Sequence, residues 1–408
     1  MSENPEQIVV YGTTWCPDCK RSKEFLDQQR IPYRWVDIEQ SPEARAYVEK
    51  VNNGMRRVPT IVFPDGSRLI EPSNAELAAK VGIVTKAKRD EYDVIIIGAG
   101  AAGLTTAFYT AREGMETLVL DKSAPGGQAI NTQFIENFPG FDEGISGEEL
   151  ARRLANQARR FGVEILQAQT VTDMQRSGER CEIITADGNR YRARAIVIAT
   201  GARYRRLNVP GEAQLIGRSV HFCATCDGAF YKGRDVLVIG GGNSGFQEGL
   251  FLAKLARRVT IVEFQPQVRA SAILQQKVAA QDNITVITNH AVQEFLVDGN
   301  RLAGVKVLDR ASGEVKVWHP DGVFIFIGLQ PNSDFLPPQI ERNAGGFIVT
   351  DRTLQTSVKG IFAAGDVRAG AVAQLAAAAG EGATAALMVR QYLEEEAEGD
   401  RAACNTVA

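Results

Sequence analysis

A chain of 408 residues with 44% hydrophobic side chains can bury two or three separate cores, so at least three domains are expected. Its 46 basic and 49 acidic residues leave a net charge of −3 and are mixed along the chain, without the single-sign block that would track a phosphate backbone, which argues against a nucleic-acid partner. The start MSENPEQIVV is not a secretory signal, the longest apolar runs are broken by Gly or by Gln374 and Glu381, and six cysteines are too few for a disulfide scaffold; a cytoplasmic protein without a membrane span is expected.

In chain order, residues 8–11 (IVVY) read as a strand, CKRSKEFLDQQR as an amphipathic helix and YRWVDIE as a second strand. A helix is expected around SPEARAYVEKVN, then a hairpin in VPTIVFPDGSRLI turned by Asp65-Gly66, then a closing helix in NAELAAKVG. This β-α-β-based unit is given residues 1–84. The charged, glycine-free stretch TKAKRDEY reads as an interdomain linker, placed at 85–91.

From Tyr92 the pattern becomes buried strand, glycine turn, helix and second strand ending in an acid: YDVIIIGAGAAGLTTAFYTAREGMETLVLD. It recurs at RDVLVIGGGNSGFQEGLFLAKLARRVTIVE. Gly98, Gly100 and Gly103 correspond to Gly240, Gly242 and Gly245, and each first glycine precedes an acid, Asp121 or Glu263, at the same interval. The glycines allow a tight turn, close approach of backbone to a pyrophosphate and helix–strand contact, and the acid suits an adenosine ribose. Two dinucleotide sites in one chain imply a nicotinamide and a flavin, because side chains do not accept hydride readily without a cofactor.

The cysteines form two Cys-x-x-Cys pairs, Cys16/Cys19 and Cys223/Cys226; Cys181 and Cys404 read as a small buried hydrophobe and an inert tail thiol. Two such pairs could make a four-cysteine zinc site, but each sits in its own folding unit, and His221, His290 and His319 show no ligand spacing; no metal is expected. Cys16 follows the first strand, so it falls at a helix N-terminus where the helix end, Lys20 and Arg21 favour a thiolate; it is expected to be the exposed attacking sulfur and Cys19 the resolving one.

By GAGAAG, GGQ, ENFPG, CATCDGAF, GGGNSG and AAGDV, residues 92–396 resemble the low-molecular-weight thioredoxin reductases. VTIVEFQPQVRASAILQQKV with AAGEGA is similar to the flavin subunit of bacterial alkyl hydroperoxide reductase. The resemblance implies an α/β chain with two Rossmann-like, three-layer domains, the FAD domain split into 92–206 and 330–396 around an NAD(P)H domain at 207–329. It implies that Gly127, Gln128, Asn137, Gly201, Gly365, Asp366 and Gln374 complete the FAD pocket, and that Asn243 and Ser244 belong to the nicotinamide site. It further implies that Cys226 faces the flavin, Cys223 attacks the outgoing disulfide, Asp227 protonates the leaving thiolate, the NAD(P)H domain turns on hinges near Arg205–Leu207 and Leu329–Pro331, and the enzyme is a homodimer. NADPH-using members carry a basic cluster where this chain has Glu263, Phe264, Gln265 and Arg269, so NADH is expected; Arg257, Arg258 and Arg269 folding back on a phosphate is the route to the NADPH alternative.

Residues 6–83 resemble a glutaredoxin, more closely the mycoredoxin type, by WCPDC, VPTIVFPDGS and PSNAEL, which implies a thioredoxin fold with a cis Pro59 facing the dithiol. Where glutaredoxins carry Gly-Gly for glutathione, this chain has Glu71-Pro72-Ser73-Asn74. The joined reading is a flavoprotein disulfide reductase passing electrons from NADH through FAD and Cys223–Cys226 to Cys16–Cys19. The acceptor would be a peroxiredoxin, a thioredoxin-like protein or a low-molecular-weight thiol disulfide. The alternatives are an NADPH-dependent thioredoxin or mixed-disulfide reductase, and a flavin redox sensor with the small domain as a docking module.

Overall fold

A computed structural model describes residues 6–132, 135–178 and 180–407; the side chains of residues 131, 177, 226 and 399–407, Cys226 and Cys404 among them, lie outside what is described. The chain forms two compact units, residues 1–129, 151–201 and 333–408 in the first and 130–150 and 202–332 in the second.

The first unit opens with β1 (Ile8–Gly12), α1 (Pro17–Gln28), β2 (Tyr33–Asp37), α2 (Pro42–Val51), β3 (Thr60–Val62), β4 (Arg68–Ile70) and α3 (Asn74–Lys80). The sheet order is β2-β1-β3-β4, with β1 parallel to β2 and the other pairs antiparallel. Alternation along β1 divides the core. Ile8 and Val10 pack with Phe25, Leu26, Ile61 and Leu77, while Val9 and Tyr11 pack with Val48 and Val62 on the other face. Local chemistry sets the helix ends: Ser41 caps α2 ahead of Pro42, and Ser73 and Glu76 form a reciprocal capping box on α3. The C-terminal end of α1 rests on the loop after Asp121, where Gln29 Nε2 donates to Lys122 O (3.0 Å) and Ala124 N to Gln28 O (3.1 Å).

The segment expected as an interdomain linker is fastened down. Ala87 N donates to Tyr191 OH (3.2 Å), Lys88 N to Glu164 Oε1 (2.9 Å), and Arg89 pairs with Glu116. β5 (Glu91–Ile97), α4 (Ala101–Arg112), β6 (Thr117–Leu120), α5 (Gly147–Arg160), β7 (Glu164–Leu166), β8 (Val171–Ser177), β9 (Arg180–Thr185) and β10 (Arg190–Ile198) follow. The seven-stranded sheet runs β7-β6-β5-β10-β9-β8, and β21 (Ile361–Ala363), from far along the chain, pairs parallel with β10. Ile95, Ile97 and Leu118 are buried on one face and Val94, Ile96 and Val119 on the other, which is why β5 is a continuous apolar run. Helix α10 (Leu375–Val407) covers the second face beside α4. They meet closely because residue 382 is glycine: a Cβ there would lie 2.3 Å from Ala102 O.

The second unit holds β11 (Ala202–Tyr204), α6 (Glu212–Leu215), β12 (Val220–His221), α7 (Ala224–Asp227), β13 (Asp235–Ile239), α8 (Asn243–Leu252), β14 (Arg258–Val262), α9 (Ala272–Ala279), β15 (Ile284–Ile287), β16 (His290–Asp298), β17 (Arg301–Asp309), β18 (Val315–Trp318), β19 (Gly322–Ile325) and β20 (Leu329–Pro331). A parallel sheet, β12-β19-β13-β14-β15, has apolar cores on both faces and an antiparallel β16-β17-β18 sheet over one of them. The two segments expected as hinges adjoin a small ribbon: β11 pairs antiparallel with β20, and Arg205 N donates to Gly328 O (3.0 Å). The α/β architecture, a thioredoxin fold followed by two Rossmann-like folds of which the first is split in sequence, is the one expected. Among the described residues no helix is long and apolar enough to cross a membrane, and no cluster of three or more His, Cys, Asp or Glu could hold a metal ion.

Candidate active site

Cys16 is the N-cap of α1. Its Sγ accepts from Cys19 N (3.3 Å) and donates to Val58 O (3.6 Å), next to the cis Val58–Pro59 bond. The expectation of an exposed Cys16 is corrected: it is 6% exposed, because its sulfur turns inward to the helix end and the Val58 carbonyl, while neighbouring Trp15 is 64% exposed. Arg21 is also diverted, to Asp18 and to Pro72 O (2.8 Å). Cys19 is fully buried, and burial together with its hydrogen bond to Cys16 pushes its thiol up to about 12. Gly12, which the sequence reading passed over, makes the seat: a Cβ there would lie 2.7 Å from Cys19 Sγ and 2.6 Å from the Trp35 ring. At the position of the family's Gly-Gly, Glu71 has φ +50°, its N–H donates to Pro59 O (2.8 Å), and its carboxylate holds Arg57 (2.7 Å).

The two glycine turns repeat atom for atom. Gly98 has φ +109° and a Cβ on it would lie 2.3 Å from Ala199 O, while a Cβ on Gly103 would lie 1.9 Å from Gly98 O; Gly240 and Gly245 repeat both contacts against Phe326 O and Gly240 O. The middle glycines, Gly100 and Gly242, are the N-caps of α4 and α8. Neither helix has a side-chain cap, and a Cβ on either glycine would meet only open space or a distant glycine Cα. This is the cradle a pyrophosphate fits, with backbone N–H groups and the positive helix end aimed at it. Both acids act in a way the motif did not reveal. Asp121 accepts from Ala99 N (2.6 Å) and Ser123 N (2.7 Å), and Glu263 from Gly241 N (2.6 Å) and Gln265 N (2.8 Å), so each braces its own glycine loop. Burial pushes the Asp121 carboxyl up against the pull of those N–H groups.

Around the first cradle, Gly126 N donates to Ala99 O (2.8 Å) and Gly127 packs on Gly100, which brings Gly127 and exposed Gln128 to the loop. Gly201 (φ +66°) follows the end of β10. Gly365 packs on Ala102, and its N–H donates to Glu381 (2.7 Å), which also holds Arg368 (2.5 Å), an arrangement the sequence reading missed within AAGEGA. Burial and the nearby Glu381 charge push the Asp366 carboxyl up to about 6. Gln374 directly precedes α10. Asn137 lies in the second unit, in the loop between the bridge partners Ile135 and Ile145.

At the second cradle, Asn243 Oδ1 accepts from Ser271 N (2.8 Å), Ser244 is exposed, and Arg269 keeps an exposed side chain while its N–H donates to Gly241 O (2.9 Å). Arg257 and Arg258 sit at the far end: Arg257 is bidentate on Asp235 (2.9 and 3.0 Å), about 20 Å down the strand from Glu263. Arg310, unmarked by any motif, stacks 3.9 Å from the Phe264 ring centre and donates to Phe264 O (2.7 Å). In the same unit, Cys223 is disulfide-bonded, its Sγ is 3.3 Å from Thr225 Oγ1, and α7 follows it. The Asp227 side chain is 19% exposed and lies 3.3 Å from buried His221.

The pyridine nucleotide-disulphide oxidoreductase model matches residues 92–382 and the glutaredoxin model residues 8–68. The chain is 43% identical over 307 residues to a thioredoxin reductase of Listeria monocytogenes serovar 1/2a, covering 74% of this chain and 94% of that protein, and 41% identical over 306 residues to one of Bacillus subtilis, covering 74% and 95%. The crystal structure of thioredoxin reductase from Streptococcus pyogenes superposes with a TM-score of 0.71 at 39% identity, over 75% of this chain and 99% of that one. The chain belongs to the pyridine nucleotide-disulphide oxidoreductase family, as a thioredoxin-reductase-like, FAD-dependent disulfide oxidoreductase with a glutaredoxin domain at its N-terminus.

Proposed function

We propose that this enzyme oxidises NADH and delivers the electron pair by way of Cys223–Cys226 and Cys16–Cys19 to the disulfide of a peroxiredoxin, a thioredoxin-like protein or a low-molecular-weight thiol. FAD, when bound, supplies the two-electron chemistry between nicotinamide and thiol. The residues around the first cradle fit it: Gly98, Gly100 and Gly103 for the pyrophosphate, with Gly127, Gln128, Gly201, Gly365, Asp366 and Gln374 assigned to the rest. The observation that carries the outlet is the division of labour at Cys16 and Cys19. Cys16 accepts the Cys19 N–H at a helix N-terminus, whereas Cys19 is held as a buried thiol near pKa 12. Cys16 attacks the external disulfide, its S–S bond breaks, and Cys19 then displaces the reduced acceptor from the mixed disulfide.

The docked end of α1 is its C-terminal end, so Cys16 stands about 18 Å away, at the opposite end of a twelve-residue helix. With the fastened linker, this supports a dithiol held at the end of α1 away from the docked loop, to be served by the neighbouring subunit of a homodimer. The Arg57–Glu71 pair where the Gly-Gly would stand supports an acceptor other than glutathione. Glu263 at the end of β14, with Arg257 and Arg258 at the far end of the sheet, supports NADH. Arg310 is the observation that favours the second reading, NADPH. The test is NADH-driven turnover with a peroxiredoxin and peroxide. A Cys16→Ser variant should lose it and a Cys19→Ser variant should retain its acceptor as a mixed disulfide; undiminished turnover of Cys16→Ser refutes the outlet, and a higher kcat/KM with NADPH refutes the nicotinamide assignment.

A further inference from the structure

His221 has no part in any motif above. It ends β12, is 5% exposed, and stands between two groups that can carry a proton. Its Nε2 is 2.8 Å from the Tyr231 hydroxyl, and its Nδ1 is 3.3 Å from Asp227 Oδ2. That Nδ1 is buried and makes no hydrogen bond, so the Asp227 carboxyl, 3.3 Å away, is the group placed to continue the chain from Tyr231. The seat is built: a Cβ on Gly322 of β19 would lie 2.2 Å from the Tyr231 ring, and Phe324 packs 5.2 Å from the imidazole and 5.5 Å from the phenol.

We propose that His221 is a positioning residue for the thiol chemistry that acts through Asp227, reloading its carboxyl with a proton drawn through the Tyr231 hydroxyl. The proposal rests on the reading of Asp227 as the acid. During exchange the Cys223 thiolate forms a bond to one acceptor sulfur, the acceptor S–S bond breaks, and the leaving thiolate takes the Asp227 proton. Asp227 then takes a proton from Nδ1, Nε2 takes one from Tyr231, and water restores the hydroxyl; the imidazole proton returns from Nε2 to Nδ1 before the next cycle. One proton enters, one leaves with the thiol, and no electron passes through the relay. The other groups facing it are few: Arg234 and Asp321 act on the Tyr231 hydroxyl with opposite signs, Arg218 presents its carbonyl (3.4 Å), and Glu248 of α8 is turned to the Ala224 N–H.

The test exploits leaving-group basicity, because an aromatic thiolate departs unaided and an aliphatic one needs a proton. The full-length holoenzyme in a Cys16→Ser background, so that Cys223 meets the probe, is given NADH and either 5,5′-dithiobis(2-nitrobenzoate) or hydroxyethyl disulfide across a range of pH. Flavin content and circular dichroism check folding. His221→Leu and His221→Asn are expected to slow the aliphatic probe by about tenfold or more and abolish one limb of its pH profile, with the aromatic probe within about twofold. Tyr231→Phe should slow the aliphatic probe in the same selective way. His221→Asn can still donate to Asp227 but cannot pass a proton, so a wild-type rate in that variant overturns the relay, as does equal slowing of both probes. Asp227→Asn separates the two readings: if it leaves the aliphatic rate unchanged, the acid assignment itself falls, and if it slows that rate while His221→Asn does not, the relay alone falls.

Discussion

Replacing Asp366 by Asn should stabilise the protein without FAD, and by an amount that depends on pH. Burial and the Glu381 charge hold the Asp366 carboxyl at about 6, above the ordinary 3.8 it regains on unfolding. A folded-state pKa raised in this way means that the native state loses stability relative to the unfolded chain as pH climbs from about 4 to above 6. Two pH units at roughly 1.4 kcal/mol each set an upper bound of about 3 kcal/mol, and relaxation around the charge makes about 1–3 kcal/mol the expected gain for Asp366→Asn above pH 7. Below pH 4 both proteins carry a neutral side chain and the gain should vanish. Urea unfolding of the apoprotein at pH 4, 5, 6, 7 and 8, followed by intrinsic fluorescence, measures it. A gain of the same size at every pH would refute the reasoning, since it would have to come from packing instead of charge.

Four further outcomes follow from the geometry. Gly245→Ala places a Cβ 1.9 Å from Gly240 O, so it should cost about 3 kcal/mol or more and abolish nicotinamide binding, read by thermal melting and by loss of flavin bleaching with NADH. Glu263→Ala leaves the buried Gly241 N–H without its acceptor, costing about 1–3 kcal/mol, and should narrow the ratio of NADH to NADPH kcat/KM. Iodoacetamide at pH 8 should label Cys16 of the reduced protein well ahead of Cys19, whose buried thiol stays protonated until pH nears 12; peptide mass spectrometry decides it. Gly12→Ala should displace Cys19 from its seat and cost about 1–3 kcal/mol, with turnover through Cys16 lost and flavin bleaching by NADH retained.

Much of this could be read before any coordinates, where the residue type itself records a backbone demand. Gly98 and Gly103 had to be glycine, one for its positive φ and both for a carbonyl oxygen within bonding distance of any Cβ, so their spacing was visible twice along the chain. The continuous apolar run of β5 likewise announced a strand buried on both faces. What stayed hidden depends on partners distant in sequence. Cys16 is covered because its sulfur reaches a carbonyl 42 residues away, and the linker is held by Tyr191 and Glu164, 104 and 76 residues from what they hold. Arg310 meets Phe264 across 46 residues, and Glu381 looked like an interruption in an apolar helix until Arg368 and the Gly365 N–H were seen on it. His221 lay two residues from Cys223 in plain sight, but only the position of Tyr231, on the turn beyond α7, gives its second nitrogen a purpose.

The same brace is built into both glycine folds of the chain. In both folds the acid after the second strand turns one oxygen to the loop N–H after the first glycine and the other to the N–H two residues further along the chain. That function demands a carboxylate at the strand end whether the guest is a flavin or a nicotinamide dinucleotide, so the acid cannot by itself discriminate between them. The two folds differ in what each loop carries next. In the first fold that is the Gly126–Gly127 turn, closed on Ala99 and Gly100; in the second it is Phe264, with a pinned guanidinium stacked on it, and the exposed Arg269. The thiol chemistry is likewise set off from the repeat. Cys223, Asp227, His221 and Tyr231 all precede β13, ahead of the glycine loop, so the glycine cradle and the groups proposed to handle the proton could change independently while the fold that holds them stayed the same.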